Sequence, residues 1–131
     1  MEVILSSTEE TKKLAEKIAG NIKPKDVIAL YGDLGSGKTT FTGFLVKALG
    51  QKSRVQSPTF IILRKYGDIS HVDLYRFTTK QEVDDLGLSE IIESSNLTII
   101  EWPELAEEFL PSNTKKLYFE YIDETTRKVT I

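Results

Sequence analysis

What the chain lacks sets the first limits. It contains no cysteine, so a disulfide framework is excluded. It contains no long apolar run and no signal-peptide pattern, which argues against a membrane span and makes the cytoplasm the expected location. It has no basic excess either. With 17 Lys and Arg against 20 Asp and Glu the net charge is −3, which gives no electrostatic footprint for nucleic-acid binding of its own, so any RNA is expected to reach it through a partner. Internal repeats, low-complexity tracts and linkers are absent, and 131 residues predict one domain, residues 1–131, able to bury a core but too small for a large inserted lid.

What is present centres on Gly32-Asp33-Leu34-Gly35-Ser36-Gly37-Lys38-Thr39, which fits the phosphate-binding pattern G-x-x-x-x-G-K-[ST] at every fixed position. A loop can aim several backbone N–H groups at one anion only where bulky Cβ atoms are missing, and the glycines provide that. Lys38 adds a point charge, the Thr39 hydroxyl is placed for Mg²⁺, and the following helix turns its positive end toward the phosphates. Chance alone yields such a match in roughly one chain of this length in two hundred. Context sharpens it. Residues 26–31 form a short apolar strand pattern, and Phe41, Phe44, Leu45, Ala48 and Leu49 recur at helical spacing, giving the required order of strand, loop and helix.

Around this centre the chain alternates strands and helices, predicting an α/β three-layer P-loop NTPase-like sandwich with a mainly parallel sheet and antiparallel hairpin additions. Residues 2–5 read as a first strand. Ser7-Thr8-Glu9-Glu10 has capping-box spacing before the stripe Leu14, Ala15, Ile18 and Ala19, which ends at Gly20-Asn21. Thr8 and Thr11 read either as capping and solvated residues or as neighbours of a nucleotide base. Residues 55–66 alternate as a strand, Gly67-Asp68 reads as a two-residue hairpin turn, and residues 69–76 return. Period 2 gives that returning strand an apolar face with Val72 and Leu74 and a polar face with His71, Asp73 and Tyr75. A carboxylate placed there can hold the water shell of Mg²⁺ or orient a nucleophile; His71 reads as structural or catalytic.

Thr79-Lys80-Gln81-Glu82 is a second capping signature, followed by short helices broken near Gly87. Asp84-Asp85-Leu86-Gly87 imitates the D-x-x-G of GTPases but sits in a helical pattern. Asn113-Thr114-Lys115-Lys116 lacks the aspartate of a guanine-reading motif, so adenine is the expected base. Leu97-Thr98-Ile99-Ile100 followed by Glu101 resembles a strand that delivers an acidic side chain to the carboxyl edge of a parallel sheet, where it would bind Mg²⁺ directly or through water. Trp102 reads as a core anchor or a residue of the nucleotide site, and Pro103 suits a first helical turn. Residues 116–122 and 127–131 read as an antiparallel hairpin at the sheet edge, with Arg127 either reaching a phosphate or protecting that edge.

The P-loop together with Ser57-Pro58-Thr59-Phe60, His71-Val72-Asp73-Leu74-Tyr75-Arg76 and Glu101-Trp102-Pro103-Glu104, in this order and spacing, resembles the bacterial TsaE family, once called YjeE, over essentially the whole chain. The resemblance implies a P-loop ATPase needed, with the TsaB–TsaD pair, for threonylcarbamoyladenosine modification of tRNAs reading ANN codons. TsaD with TsaB performs the transfer, and the ATPase keeps the complex turning over. It further implies that Asp33 and the run Gly35, Ser36, Gly37, Lys38, Thr39 and Thr40 hold ATP, and that Thr39 and Glu101 ligate Mg²⁺. Trp102, Arg127 and a contact within residues 7–11 lie at the nucleotide. Ser57, Pro58 and Thr59 form a switch loop, and His71, Asp73 and Arg76 a second nucleotide-sensing element.

The expected chemistry is in-line attack of water on the γ-phosphate, with Lys38, backbone N–H groups and Mg²⁺ stabilising charge and Asp73 orienting water. No arginine finger is obvious, although Arg76 is a candidate, so slow turnover alone and faster turnover with partners is expected. Two other readings stay open: a small-molecule phosphotransferase, for which no Arg-rich lid insertion is visible, and a nucleotide-dependent binding module in which hydrolysis is incidental.

Overall fold

The computed structural model describes residues 1–52 and 62–131; the expected switch residues Ser57, Pro58 and Thr59, and residues 55–61 of the expected strand, lie outside them. The chain order is β1 (Glu2–Leu5), α1 (Thr8–Ala19), β2 (Asp26–Tyr31), α2 (Lys38–Ala48), β3 (Leu63–Tyr66), β4 (Ile69–Asp73), α3 (Lys80–Leu86), α4 (Leu88–Ser94), β5 (Leu97–Glu101), a 3₁₀ segment (Pro103–Phe109), β6 (Lys115–Tyr121) and β7 (Arg127–Thr130). The strands form one sheet in the order β1-β7-β6-β2-β5-β4-β3. β4, β5, β2 and β6 run parallel to one another, while β3, β7 and β1 add antiparallel pairings.

Side-chain alternation divides the core into two layers. Ile28 and Leu30 of β2, Ile69 of β4, and Leu97 and Ile99 of β5 pack with Leu14 and Ala15 of α1 and Phe41, Leu45 and Val46 of α2. On the other face Val27, Val72 and Ile100 meet Val83 of α3, Leu88 and Ile92 of α4, and Ala106. Burying a side chain such as Phe41 or Leu45 contributes about 1.5–3 kcal/mol, so the P-loop helix is anchored by its own amphipathic stripe. Parity then decides the site: His71 and Asp73 share the face of Ile69, and Glu101 shares the face of Ile99, both toward α2.

The polar face expected on β4 is buried along with the apolar one: all five residues of the strand are buried, because parallel strands inside such a sheet are covered on both sides. Two expectations change. Residues 103–109 wind as a 3₁₀ segment rather than an α-helix. The C-terminal hairpin is not an edge addition: β6 pairs in parallel with β2 and β7 lies between β6 and β1, so β1 holds that edge and Arg127 has no edge to protect. The Gly67-Asp68 turn does join β3 to β4, with Tyr66 opposite Ile69 and Gly67 at φ 61°, as a two-residue hairpin loop requires.

Candidate active site

The site is built where β2, β4 and β5 deliver their carboxyl ends beside the N-terminus of α2. α1 is capped by Ser7, whose hydroxyl accepts from the Glu10 N–H, and α3 by a reciprocal box between Thr79 and Glu82. In α1 the box is incomplete, because the Glu10 carboxylate accepts from the Ser6 N–H instead of that of Ser7. α2 differs from both. Its N-cap is Gly37 at φ 104°, with no side-chain cap and no acidic residue in the first turn. The free N–H groups of that first turn therefore form an anion site, reinforced by the helix dipole. Gly32 is needed for a different reason: at φ 139°, a Cβ there would stand 2.6 Å from the Phe119 carbonyl oxygen and 2.8 Å from Ser36 Oγ.

A cavity of about 310 Å³ opens over this loop, lined by Gly35, Gly37, Lys38, Thr39 and Thr40 from the loop and helix, by Asp73 and Glu101 from the strand ends, and by Trp102 and Arg127. Lys38 is 4% exposed. Its ammonium donates to the Gly32 carbonyl and sits 4.0 Å from the centroid of the Trp102 ring. Burial lowers the Lys38 pKa, against the opposing pull of Glu101 and Asp73. Burial raises that of Asp73, with the Glu101 charge adding to it, while the Tyr75 N–H, 2.8 Å from Asp73 Oδ1, works the other way. Asp73 and Glu101 are register partners on adjacent parallel strands. Behind Glu101, His71 Nε2 lies 2.6 Å from Oε2.

A second cavity of about 300 Å³ is lined by Leu5, Ser7, Thr8, Thr11, Phe119, Thr125 and others, and it shares Gly37, Thr40 and Arg127 with the first. The two spaces thus meet at the helix N-terminus, one polar and loop-lined, the other bounded by α1 and the β6–β7 turn. Arg127 sits at the junction, its guanidinium 4.6 Å from the Tyr121 ring centroid and its Nη1 donating to the Asp123 and Thr126 carbonyls.

The structure gathers Gly35, Gly37, Lys38, Thr39, Thr40, Asp73, Glu101, Trp102 and Arg127 around the first cavity and Thr8 and Thr11 around the second. Asp33, Ser36, His71 and Arg76 line neither; the Ser36 hydroxyl is buried with no hydrogen-bond partner among the described residues. Leu5, Phe119, Glu124 and Thr125 of the second cavity carry no site reading in the sequence, and Leu34 and Tyr75 of the first enter it only as members of the phosphate-binding motif and of the polar strand face. A signal existed for one of them: Asp123 Oδ1 accepts from the Thr125 and Thr126 N–H groups, an Asx turn legible in Asp-x-Thr-Thr. Asp84-Asp85-Leu86-Gly87 falls at the junction of α3 and α4, away from both cavities.

A divalent cation is the group such a site implies. Among the described residues no cluster of three carboxylate, histidine or cysteine side chains could hold an ion alone. Thr39, Glu101 and Asp73, which line the same cavity, offer instead one hydroxyl and two carboxylates, a donor set that suits Mg²⁺, which keeps waters and binds substrate phosphates. The residues present fit it.

The mostly parallel sheet, the Gly32–Thr39 loop between β2 and α2 and the acidic strand ends define a P-loop NTPase-like α/β protein. A model of the family described as "Threonylcarbamoyl adenosine biosynthesis protein TsaE" matches residues 5–129. The chain is 44% identical to the TsaE protein of Aquifex aeolicus, covering 99% of this chain and 94% of the relative. It is 40% identical to that of Bacillus subtilis, covering 93% and 78%. The crystal structure of Bacillus subtilis YdiB superposes with a TM-score of 0.80 at 32% identity, covering 98% of this chain and 82% of the other. The chain belongs to the TsaE family. Among the described residues no helix is long and apolar enough to cross a membrane.

Proposed function

We propose that this chain binds and hydrolyses Mg·ATP and, in the cytoplasm, supports the TsaB–TsaD complex in threonylcarbamoyladenosine modification of tRNAs reading ANN codons. One observation carries the nucleotide reading: two cavities meet at Gly37, Thr40 and Arg127, so a ligand with an anionic tail and a flat polar head spans both, its phosphates over α2 and its base near Thr8, Thr11 and Thr125. The relatives' printed names, tRNA threonylcarbamoyladenosine biosynthesis protein TsaE, support the pathway. Partners and tRNA follow from the family resemblance, with tRNA met only through TsaB–TsaD.

Each side chain has a task in this reading. Lys38 and the first-turn N–H groups of α2 neutralise β- and γ-phosphate charge. Asp73, whose buried carboxyl is a stronger base than a solvated one, accepts a hydrogen bond from the attacking water. Thr39 and Glu101 hold Mg²⁺, which, when bound, polarises the phosphoryl oxygens. Arg127 ties the phosphates to the nucleoside pocket.

The test is ATP hydrolysis by the purified protein with Mg²⁺, alone and with TsaB–TsaD, with Lys38→Ala and Glu101→Ala as controls. Slow hydrolysis that the partners accelerate and both substitutions abolish is the expected result. Equal turnover with and without the partners overturns the regulated-ATPase reading.

A further inference from the structure

Glu101 is nearly sealed, its side chain 4% exposed, yet it lines the phosphate cavity. The group that touches it from behind is His71, 0% exposed on the neighbouring strand β4, with Nε2 2.6 Å from Glu101 Oε2. The other ring nitrogen, Nδ1, is buried and has no hydrogen-bond partner among the described residues. That asymmetry settles who donates. Were the carboxyl to donate to Nε2, the neutral ring would carry its proton on Nδ1, leaving a buried N–H orphaned, and orphaned N–H groups are the rarer and costlier defect. With the proton on Nε2 the ring donates to Oε2, and only a lone pair is left bare.

We infer that His71 is a positioning residue for Glu101: its Nε2–H occupies Oε2 and fixes the carboxylate, leaving Oε1 as the oxygen available to the divalent cation of a bound nucleotide. Register explains why this residue can do it. Asp73 is paired with Glu101 and His71 with Ile99, so His71 lies two residue pairs behind Glu101, on the same sheet face. It lines neither cavity and acts only through Glu101. Outer-shell partners of this kind orient metal-binding carboxylates, and their loss typically costs 10–100-fold in metal affinity. The inference rests on the reading of the cavity as a Mg-nucleotide site.

The test uses the whole chain and ADP, so that turnover plays no part. ADP affinity is measured by calorimetry at saturating Mg²⁺ and in EDTA for the wild type, His71→Phe and His71→Gln; the glutamine amide nitrogen reaches the position of Nε2. His71→Phe is expected to lose about tenfold of the Mg²⁺-linked gain in affinity, while binding in EDTA changes little and His71→Gln keeps most of the gain. A merely structural role would move binding with and without Mg²⁺ together. Because this is the single histidine of the chain, the imidazole nitrogen spectrum of the wild type is unambiguous even if the Phe variant fails to fold. The expected spectrum shows Nε2 as the protonated, hydrogen-bonding nitrogen, with a shift on adding Mg·ADP larger than with ADP in EDTA. A proton on Nδ1, or a His71→Phe protein that keeps the full Mg²⁺-linked gain, overturns the inference. Absence of any ADP binding by the wild type overturns the reading of the site beneath it.

Discussion

The Lys38 ammonium is held between the Gly32 carbonyl and the face of the Trp102 ring, 4.0 Å from the ring centroid. Trp102 itself is strained, at φ 55° and ψ 56° immediately before Pro103, a left-handed conformation that costs roughly 1–2 kcal/mol for a non-glycine residue and is further disfavoured ahead of proline. Phosphates that recruit Lys38 must draw it from the ring. Trp102 is the only tryptophan, so its emission is expected to change on adding ADP or inorganic tripolyphosphate. Trp102→Ala, which releases a contact worth about 1 kcal/mol, should bind tripolyphosphate roughly fivefold more tightly. Unchanged emission together with unchanged tripolyphosphate affinity would show that Lys38 does not leave the ring.

The two first glycines of the loop should tolerate alanine very differently. Gly32→Ala drives a Cβ to 2.6 Å from the Phe119 carbonyl of β6, a backbone atom that cannot yield, at φ 139°. The loss expected is at least about 2 kcal/mol, a fall in Tm of roughly 5–10 °C. Gly35→Ala meets nothing within 4 Å among the described residues and has its φ of 77° to accommodate, so about 1 kcal/mol and half that shift are expected. Thermal melts of both variants check the ranking, and equal losses would contradict it.

The ease of reading this chain from sequence follows the range of the interactions. The β2–loop–α2 unit, the Gly67 turn and the two Gly87-broken helices are written in neighbouring residues, and the fold reproduces them. The burial of the polar face of β4 was not legible, because it depends on which helices cross the sheet and not on the strand's own alternation. The place of β6 between β2 and β7 was hidden for the same reason: an antiparallel hairpin pattern does not say which distant strand its outer edge will join. The second cavity is the extreme case, since Leu5, Phe119 and Thr125 come from three segments that only the finished sheet brings together.

The Asp73 carboxyl gives the site a pH signature. Burial leads the causes that raise its pKa above the usual 3.8, and Glu101 adds to it. The stability linked to this group is therefore full below that ordinary value and is lost as pH rises through the raised one. At neutral pH the charged carboxylate opposes folding. Asp73→Asn removes the charge while keeping an oxygen to accept from the Tyr75 N–H. In EDTA the variant should melt several degrees above the wild type at pH 7, with the gap closing toward pH 4, although its ATP hydrolysis is lost. A variant less stable than the wild type at pH 7 would reverse the sign and refute the account.

If the nucleotide spans both cavities as proposed, recognition of the base is separate from recognition of the phosphates, and a substitution confined to one side should expose that. Thr125 lines only the α1-side cavity and Lys38 only the loop-side one, whereas Arg127 lines both. Thr125→Trp fills the first space with a side chain far larger than a hydroxyl, leaving the loop untouched. It should lose ATP by roughly tenfold or more, about 1.4 kcal/mol, yet bind inorganic tripolyphosphate as the wild type does. Lys38→Ala should weaken both ligands. Arg127→Ala should weaken both as well, because it removes the cation at the junction and one end of the Tyr121 contact. Calorimetry with the two ligands decides the matter: a Thr125→Trp protein with unaltered ATP affinity would place the base elsewhere and leave the α1-side cavity without its assigned occupant.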